Sequence, residues 1–462
     1  MALSPSEIQT IDRLRQQWES QGKADELNLR YYLGRQRVEQ LGMAIPPSMR
    51  KFLVVANWPR VVVDTMRSRQ RMRSMMLAGE DTVNPQLLAA RRATNLDAHL
   101  AMFETDVLVY GRGFLSCGSN EAAAGSPLVR AESPRQMVAE VDIRTETMLA
   151  AARFYGKDEQ TGATPTNVTL YLPEVTIWVA RRGGDGRWVE VDRDPHGLGR
   201  VPIVMHLNRR MSGEWAGESE MSDIIPITDA AARSLTNMQF AQESHGIPRM
   251  WMTGVAKGDF VDSSGKPIPQ FEAYFNAIHT LTKAESKVGQ LEASDLKNFE
   301  TALNVYGSQA SIVTGFPSRY FGHFTANPPN EASMKADEAQ LVSRVEDQTT
   351  QLGVTLGWLG GLMWRFMTGE WLDGNAVTVD WFDASTPTVA QREDALMKRR
   401  SVGVLSREGY WDELGWGEPR KAKERQYLEA EALDPLLASL TRPVTGDAQV
   451  GEEARHRAHR QA

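Results

Sequence analysis

Cysteine is almost missing from this chain: Cys117 is the only one in 462 residues. A single cysteine excludes a disulfide within the chain and a thiolate cage around a metal. We interpret Cys117 as a packing residue of a buried strand. The opening segment, Met1 to Glu7, also lacks the basic region and apolar core of a signal peptide, so we expect folding in a reducing cytoplasm.

Motifs for nucleotide and zinc chemistry are missing as well. No G-x-x-x-x-G-K-[ST] loop occurs, and Gly265-Lys266 is followed by Pro267. The glycines at 183, 184 and 186 lie in a hairpin turn and do not open a helix after a strand, as a dinucleotide loop would. The eight histidines are scattered, without an H-E-x-x-H pair. We therefore expect no cofactor and no ATP hydrolysis.

Two pairs of carboxylates keep an enzymatic alternative open. Asp192 with Asp194, or Asp380 with Asp383, could bind a divalent ion for nuclease chemistry. The first pair lies in a Pro/Gly loop and the second at a strand end. A metal site is therefore the weaker interpretation of both pairs.

Positive charge is not in excess, since 52 basic residues face 59 acidic ones and the formal net charge is -7. Nucleic acid and anionic membranes should repel such a chain, so any contact with DNA must be local or weak. A composition of 41% hydrophobic and 24% charged residues is typical of a folded protein. At about 150 residues per domain, the length suggests three modules or one elaborated body.

Long apolar runs are scarce too. No charged residue occurs between Asp347 and Arg365, but this segment begins with the polar residues 348–351. Its apolar part is shorter than the ~20 residues that a bilayer requires. The glycines at 353, 357 and 361 indicate instead a helix packed closely on its neighbours, and we expect no membrane contact.

Helical periodicity is strongest between residues 295 and 367. A first stripe stops at Gly315 and Pro317, which are a left-handed cap and a helix breaker; it comprises Leu296, Phe299, Leu303, Tyr306, Ala310 and Val313. After a loop to Asn330, a second stripe comprises Met334, Leu341, Val345, Leu352, Leu356, Leu359, Met363 and Phe366. Another helix is predicted to begin at Ser4, where a capping box precedes the apolar face Ile8, Ile11, Leu14 and Trp18. Two more helices are predicted over residues 95–110 and from Pro226 to about His245.

Short β-rich runs fill the region from Gly111 to about Asn208. They cover residues 114–117, 128–131, 137–141, 148–154, 168–172, 175–180, 188–191 and 201–207, with a glycine-rich hairpin turn after Ala180. Further strands are predicted at 250–252 and 376–382. The sequence therefore predicts an α+β protein with an antiparallel module.

A basic run between the helices alternates arginine with other residues: Arg67, Arg69, Arg71 and Arg73. In an extended segment these four side chains would line one face. Guanidinium groups favour carboxylate or phosphate partners. We expect contact with acidic groups of a neighbouring subunit; a solvated face and DNA contact are the alternatives.

Ordered phrases over about residues 30 to 400 carry a family resemblance. They are Asn57-Trp58-Pro59-Arg60-Val61-Val62-Val63-Asp64, Leu108-Val109-Tyr110-Gly111-Arg112-Gly113-Phe114, Glu132-Ser133-Pro134-Arg135-Gln136-Met137, Gly199-Arg200-Val201-Pro202, Gly217-Glu218-Ser219-Glu220, Ile225-Pro226-Ile227-Thr228-Asp229-Ala230-Ala231, Thr314-Gly315-Phe316-Pro317, Asn327-Pro328 and Thr386-Pro387-Thr388-Val389-Ala390-Gln391. The set resembles the portal (head-to-tail connector) proteins of tailed bacteriophages, especially long-tailed phages of actinobacteria. Pro329-Asn330-Glu331 departs from the small residues frequent in relatives, which shifts the loop boundary by a few residues.

The resemblance implies the portal fold, with long stem and wing helices, a β-rich wing module and a helical crown. Carried over, the segments are wing 1–217, stem helix 218–246, clip 247–293, stem helix 294–314, tunnel loop 315–330, long wing helix and strand 331–385 and crown 386–442. The tail 443–462 lacks apolar periodicity, so we expect it to be disordered. It also implies a non-enzymatic ring of about twelve subunits at one capsid vertex of the virion, assembled in the host cytoplasm. Such a ring passes double-stranded DNA in and out without reading its sequence.

The implied partners are the terminase large subunit, the major capsid or scaffolding protein and a head-completion adaptor. The tunnel-loop residues expected nearest DNA are Arg319, His323, Asn327 and Asn330. The clip residues expected to dock the motor and adaptor are Trp251, Lys257, Asp259, Asp262 and Lys266. The alternatives are a metal-dependent nuclease or terminase-like enzyme and a monomeric capsid adaptor.

Overall fold

The computed structural model describes most of the chain and divides it into two compact units, Met1–Ser385 and Thr386–Ala462. The described residues are 3–36, 54–80, 83–121, 123, 125–156, 165–182, 187–245, 250–253, 287–290, 297–322, 331–372, 376–385 and 389–433. The predicted hairpin tip, most of the clip and the final tail lie outside these ranges.

The first unit contains seven described helices and twelve described strands. The helices are α1 (Pro5–Tyr32), α2 (Trp58–Arg69), α3 (Pro85–Ala93), α4 (Leu96–Tyr110), α5 (Ile225–His245), α6 (Lys297–Thr314) and α7 (Glu331–Thr368). The strands are β1 (Met72–Leu77), β2 (Arg112–Ser119), β3 (Pro127–Glu132), β4 (Met137–Val141), β5 (Met148–Tyr155), β6 (Asn167–Tyr171), β7 (Thr176–Arg182), β8 (Arg187–Asp194), β9 (Ile203–Leu207), β10 (Met250–Thr253), β11 (Lys287–Gln290) and β12 (Val377–Trp381). This mixture of helices and antiparallel strands confirms the predicted α+β class.

The first helix begins at the predicted capping box. Ser4 Oγ accepts from the Glu7 backbone N–H at 3.3 Å, and Glu7 Oε2 accepts from the Ser4 N–H at 2.7 Å. Ile11 and Leu14 are buried as expected, whereas Ile8 is 39% exposed. Trp18 stacks on Phe154, with ring centroids 5.3 Å apart, and so fixes α1 against the sheet.

The β-rich module consists of two antiparallel sheets. Strands β4 to β8 form a five-stranded meander in chain order, and β2 lies between β3 and β9 in a three-stranded sheet. Pairing of Arg182 with Arg187 at the end of the β7–β8 ladder confirms the predicted hairpin. The eight short β-rich runs predicted from the sequence correspond to these eight strands.

A hydrophobic core lies where α4 and α7 pack against β1 and β12. Gly360 of α7 packs so closely on this layer that a Cβ there would lie 2.7 Å from Val377 Cγ1. Cys117 of β2 belongs to the same core, as predicted, and burial raises the pKa of its thiol far above the usual range. Among the described residues, no helix is long and apolar enough to cross a membrane.

The two long helical stripes are present with small differences. In α6 the buried positions are Gly307, Ala310 and Thr314, so the buried face is rotated from the predicted one and Val313 is 40% exposed. In α7 the predicted stripe is buried from Leu341 to Met363, but Met334 is 40% exposed. Strand β10, predicted at 250–252, pairs with β11, which the sequence did not reveal.

The arginine run is not one extended face, and that prediction is wrong. Arg67 and Arg69 belong to the last turn of α2, Arg71 immediately precedes β1, and Arg73 lies in β1. Helix α2 continues through this segment because Val62, Val63 and Met66 form a buried helical stripe after Pro59. Of the four arginines, only Arg73 therefore lies in a strand.

The second unit contains α8 (Val389–Ser401), α9 (Arg407–Glu413) and α10 (Glu418–Leu433). Ser406 caps α9 by accepting from the Gly409 N–H at 3.1 Å. Trp411 and Trp416 stack at 5.8 Å, which closes the turn between α9 and α10.

Candidate functional site: the loop between the two long helices

The end of α6 is built to stop the helix and redirect the chain. Gly315 has a φ of +71° and its N–H bonds Ser311 O at 2.9 Å, as the predicted left-handed cap requires. Ser311 Oγ donates to Phe316 O at 2.6 Å and so tightens the turn. Pro317 then leads into a short 3-10 turn, Ser318–Phe321.

Aromatic side chains fix this turn to the body of the first unit. Phe316 is 1% exposed and Phe321 is 5% exposed. Phe321 meets Trp58 of α2 edge to face, with ring centroids 5.7 Å apart, and Tyr320 packs on Phe316 at 6.2 Å. The described half of the loop, residues 315–322, is therefore anchored to the core.

Charged groups tie the same turn to the start of α7. Arg319 donates to Asp337 Oδ2 at 2.7 Å and also forms an ion pair with Glu338. Glu338 also pairs with Arg69 at 3.2 Å, and Arg69 donates to Ala384 O at 3.1 Å. Arg69 is 8% exposed, so Glu338 neutralises a buried charge that would otherwise be costly.

One arginine of α7 connects the ends of both predicted stem helices. Arg344 Nη1 donates to Thr314 O, at the end of α6, at 2.7 Å. Its Nη2 lies 2.5 Å from Glu220 Oε1, five residues before α5 begins. A cation at a helix C-terminus satisfies free carbonyl groups and interacts favourably with the helix dipole.

A buried amide network continues from Glu220. Gln348 donates to Asn208 Oδ1 at 2.8 Å and to Glu220 Oε2 at 3.2 Å. Gln70 donates to Gln348 Oε1 at 2.5 Å, and Asn208 donates to Glu220 Oε2 at 3.0 Å. The one signal of this network in the sequence is the spacing of Arg344 and Gln348, which stand four residues apart beside an apolar stripe and so lie on one face of α7.

The predicted site residues are only partly described. Arg319 lies in the 3-10 turn, with its side chain 25% exposed and two carboxylates beside it. His323, Asn327 and Asn330 lie outside the described residues. Trp251 belongs to β10, opposite Gly289, while Lys257, Asp259, Asp262 and Lys266 lie outside.

The two carboxylate pairs have local partners. Asp192 Oδ1 accepts from the Arg193 N–H at 2.8 Å on β8, which the structure makes a strand and not a loop. Asp380 lies 3.7 Å from Arg73, and Asp383 accepts from the Ser385 N–H at 2.8 Å. Across the described ranges, no group of three or more His, Cys, Asp or Glu side chains could hold a metal ion.

Comparisons with known proteins agree on one family. The model of the family described as "Phage portal protein, SPP1 Gp6-like" matches residues 11–434. A protein of Mycobacterium phage L5 named portal protein is 31% identical over 417 residues, covering 88% of this chain and 85% of its own length. One of the same name from Mycobacterium phage D29 is 31% identical over 434 residues, covering 91% and 88%.

Solved structures show a more distant likeness. The virion of a native gene transfer agent particle contains a chain with a TM-score of 0.45 and 14% identity, covering 80% of this chain and 93% of that one. A chain from the neck of the native particle, computed with C12 symmetry, has a TM-score of 0.44 and 14% identity, covering 82% and 95%. These likenesses are too distant to bear on assembly.

Proposed function

This chain belongs to the SPP1 Gp6-like family of phage portal proteins, and we propose that about twelve copies of it close into a ring at one capsid vertex. The ring is a passive channel through which double-stranded DNA is packaged and later ejected. Head-to-tail interfaces that close by rotation produce such a ring. Family membership over residues 11–434 supports this proposal, because the match spans both compact units.

In this proposal, residues 315–330 face the DNA, with Arg319, His323, Asn327 and Asn330 nearest to it. The observation that carries this placement is the mounting of residues 315–322 between α6 and α7. Aromatic packing and the Arg319 ion pairs hold the loop base, while Arg344 fixes the end of α6. A loop held at its base by two long helices can keep its position while a polymer slides past.

A channel must bind the passing DNA only weakly, and the charges of this chain are consistent with weak DNA binding. The net charge is -7, and Asp337 and Glu338 neutralise Arg319. A phosphate backbone passing this surface gains few cation contacts, so it is not gripped. Contact without base recognition carries no sequence preference.

We assign residues 247–293 to the clip, which docks the terminase large subunit during packaging and a head-completion adaptor afterwards. Trp251, Lys257, Asp259, Asp262 and Lys266 are the residues assigned to that contact. Residues 386–442 form the crown inside the capsid, and capsid or scaffolding protein surrounds the ring. Assembly takes place in the host cytoplasm, and the mature protein resides in the virion.

Native mass spectrometry of the purified chain, followed by DNA cross-linking in packaged particles, tests this function. The expected result is one closed assembly of many copies, with DNA cross-links in residues 315–330. A single-copy mass would support the monomeric adaptor instead. Divalent-ion-dependent DNA cleavage that is lost in Asp380→Asn or Asp383→Asn would support the nuclease.

A further inference from the structure

The structure divides the four arginines of residues 67–73 into two functional pairs. Arg69 and Arg73 contact carboxylates of this chain: Arg69 pairs with Glu338, and Arg73 lies 3.7 Å from Asp380. Within the described ranges, the side chains of Arg67 and Arg71 have no hydrogen-bond or ion-pair partner. Their guanidinium groups are therefore available to a partner outside this fold.

Arg67 and Arg71 line a cavity of about 570 Å³ between α2, β1, α3 and α4. Arg71 lies over the ring of Phe382, 5.0 Å from its centroid, which holds the guanidinium at the cavity edge. Arg67 Nε is buried without a hydrogen-bond partner. Buried guanidinium nitrogens are usually hydrogen-bonded in folded proteins, so this nitrogen keeps a donor that a ligand could use.

Glu104 forms part of the inner wall of the same cavity and gives independent evidence of a binding site. Its side chain reaches the cavity from α4 although the residue is only 4% exposed. In the part of the chain that the structure describes, the carboxyl group of Glu104 has no hydrogen-bond or ion-pair partner. Burial raises its pKa to about 8, against the opposing effect of Arg67, so the carboxyl group is mainly protonated near neutral pH.

A protonated carboxyl group and two guanidinium groups form a set of hydrogen-bond donors that fits a carboxylate ligand. The opening suits one side chain better than a polyanion, because Asp97, 67% exposed at the side chain, stands on its rim. Arg91 holds Asp97 there at 2.7 Å. A DNA backbone crossing this rim would meet that negative charge.

We propose that this cavity receives the carboxylate of an aspartate or glutamate from a second copy of the chain. The inference rests on the proposed ring and adds a receptor site to its subunit interface. Charge complementarity supports this occupant, because the cavity offers the cationic side chains of Arg67 and Arg71 and the chain contains more acidic residues, 59, than basic ones, 52. A head-to-tail interface requires two different patches on each copy, and this cavity is one of them.

A cross-link from the cavity rim tests the proposal in the assembled protein. Ser68 is exposed at the rim, and the only native cysteine is buried, so Ser68→Cys offers a single accessible thiol for a benzophenone label. Rings are formed from an equal mixture of ¹⁵N-labelled and unlabelled copies. Irradiation should join labelled to unlabelled chains at a segment containing Asp or Glu.

The double variant Arg67→Ala/Arg71→Ala should reduce this cross-link at least fivefold. The control variant Arg92→Ala removes an exposed arginine that does not line the cavity, and it should leave the cross-link unchanged.

The partner found in the cross-link shows whether the ligand comes from a second copy, from the same copy or from DNA. Cross-links within one copy only, in rings of normal mass, would overturn the inference and leave the ring intact. Cross-links to DNA in packaged particles would assign the cavity to phosphate and overturn it equally. A wild-type chain that stays single-copy would overturn the proposed function itself, and the inference with it.

Discussion

Arg344 donates a hydrogen bond of 2.7 Å to the carbonyl oxygen of Thr314, so the long helix α7 caps the helix that precedes the loop. The same guanidinium pairs with Glu220, whose side chain is fully buried. The end of α6, the approach to α5 and the first half of α7 are thereby connected through one side chain. A displacement of α7 must move the base of the loop with it.

Replacing Arg344 should uncouple these elements. In Arg344→Ala, Glu220 keeps a buried charge without its cation, which costs about 3 kcal/mol of unfolding free energy. Hydrogen exchange should accelerate at the end of α6 and in residues 315–322. Lys335→Ala, an exposed cation of the same helix, is the matched control. Equal exchange in the two variants would contradict the coupling.

Releasing Arg319 should strengthen DNA binding. Asp337→Asn removes one of the carboxylates that neutralise Arg319, while Asp347→Asn removes the same charge elsewhere on α7. One additional phosphate contact should steepen the slope of log K against log salt by about 0.9. Binding of a short duplex is measured over a salt series. If both variants change the slope equally, Arg319 does not lie near DNA.

Two glycines of α7 should respond in opposite ways to alanine. At Gly360 a Cβ would lie 2.7 Å from Val377 Cγ1, so Gly360→Ala should destabilise the first unit by about 1 to 3 kcal/mol. At Gly353 the nearest atom, Trp381 Nε1, is 3.6 Å away. Gly353→Ala should therefore be neutral or stabilising by up to about 1 kcal/mol, because alanine favours helix. Denaturant unfolding midpoints of both variants, compared with that of the wild type, measure these changes in stability.

The pH dependence of stability should change in Glu104→Gln. The pKa of Glu104 is raised from 4.5 to about 8 by burial, with Arg67 lowering it and Asp97 raising it. The folded state therefore binds the extra proton, so this contribution is complete below pH 4.5 and is lost as pH rises to about 8. Asp106, raised to about 7, acts in the same direction and remains in the variant.

Relative to wild type, the Glu104→Gln variant should gain stability steadily between pH 4.5 and 8, by at most about 1.4 kcal/mol per pH unit. Urea unfolding at a series of pH values measures this difference. Parallel stability curves for the two proteins would show that Glu104 does not titrate in this range.

Local patterns predicted most of the secondary structure, because the apolar period reports which face of an element is buried. Strand β4 was predicted with its observed bounds, and Gly315 with its left-handed cap. The same reasoning failed at Arg67 and Arg69, where alternate arginines also fit the end of a helix whose apolar face lies in Val62, Val63 and Met66.

Side-chain partners that are remote in sequence could not be predicted. The network of Gln70, Asn208, Glu220 and Gln348 joins four segments, and each residue alone resembles an ordinary surface polar residue. The cavity at Glu104 likewise depends on how α2 and α4 pack. Such contacts follow from tertiary packing, which no local pattern contains.

Cryo-electron microscopy of the purified protein tests the central claim most directly. The account predicts closed rings with an axial channel, and residues 315–322 lining the channel wall. Single-copy particles, or rings with this loop on the outer surface, would contradict it.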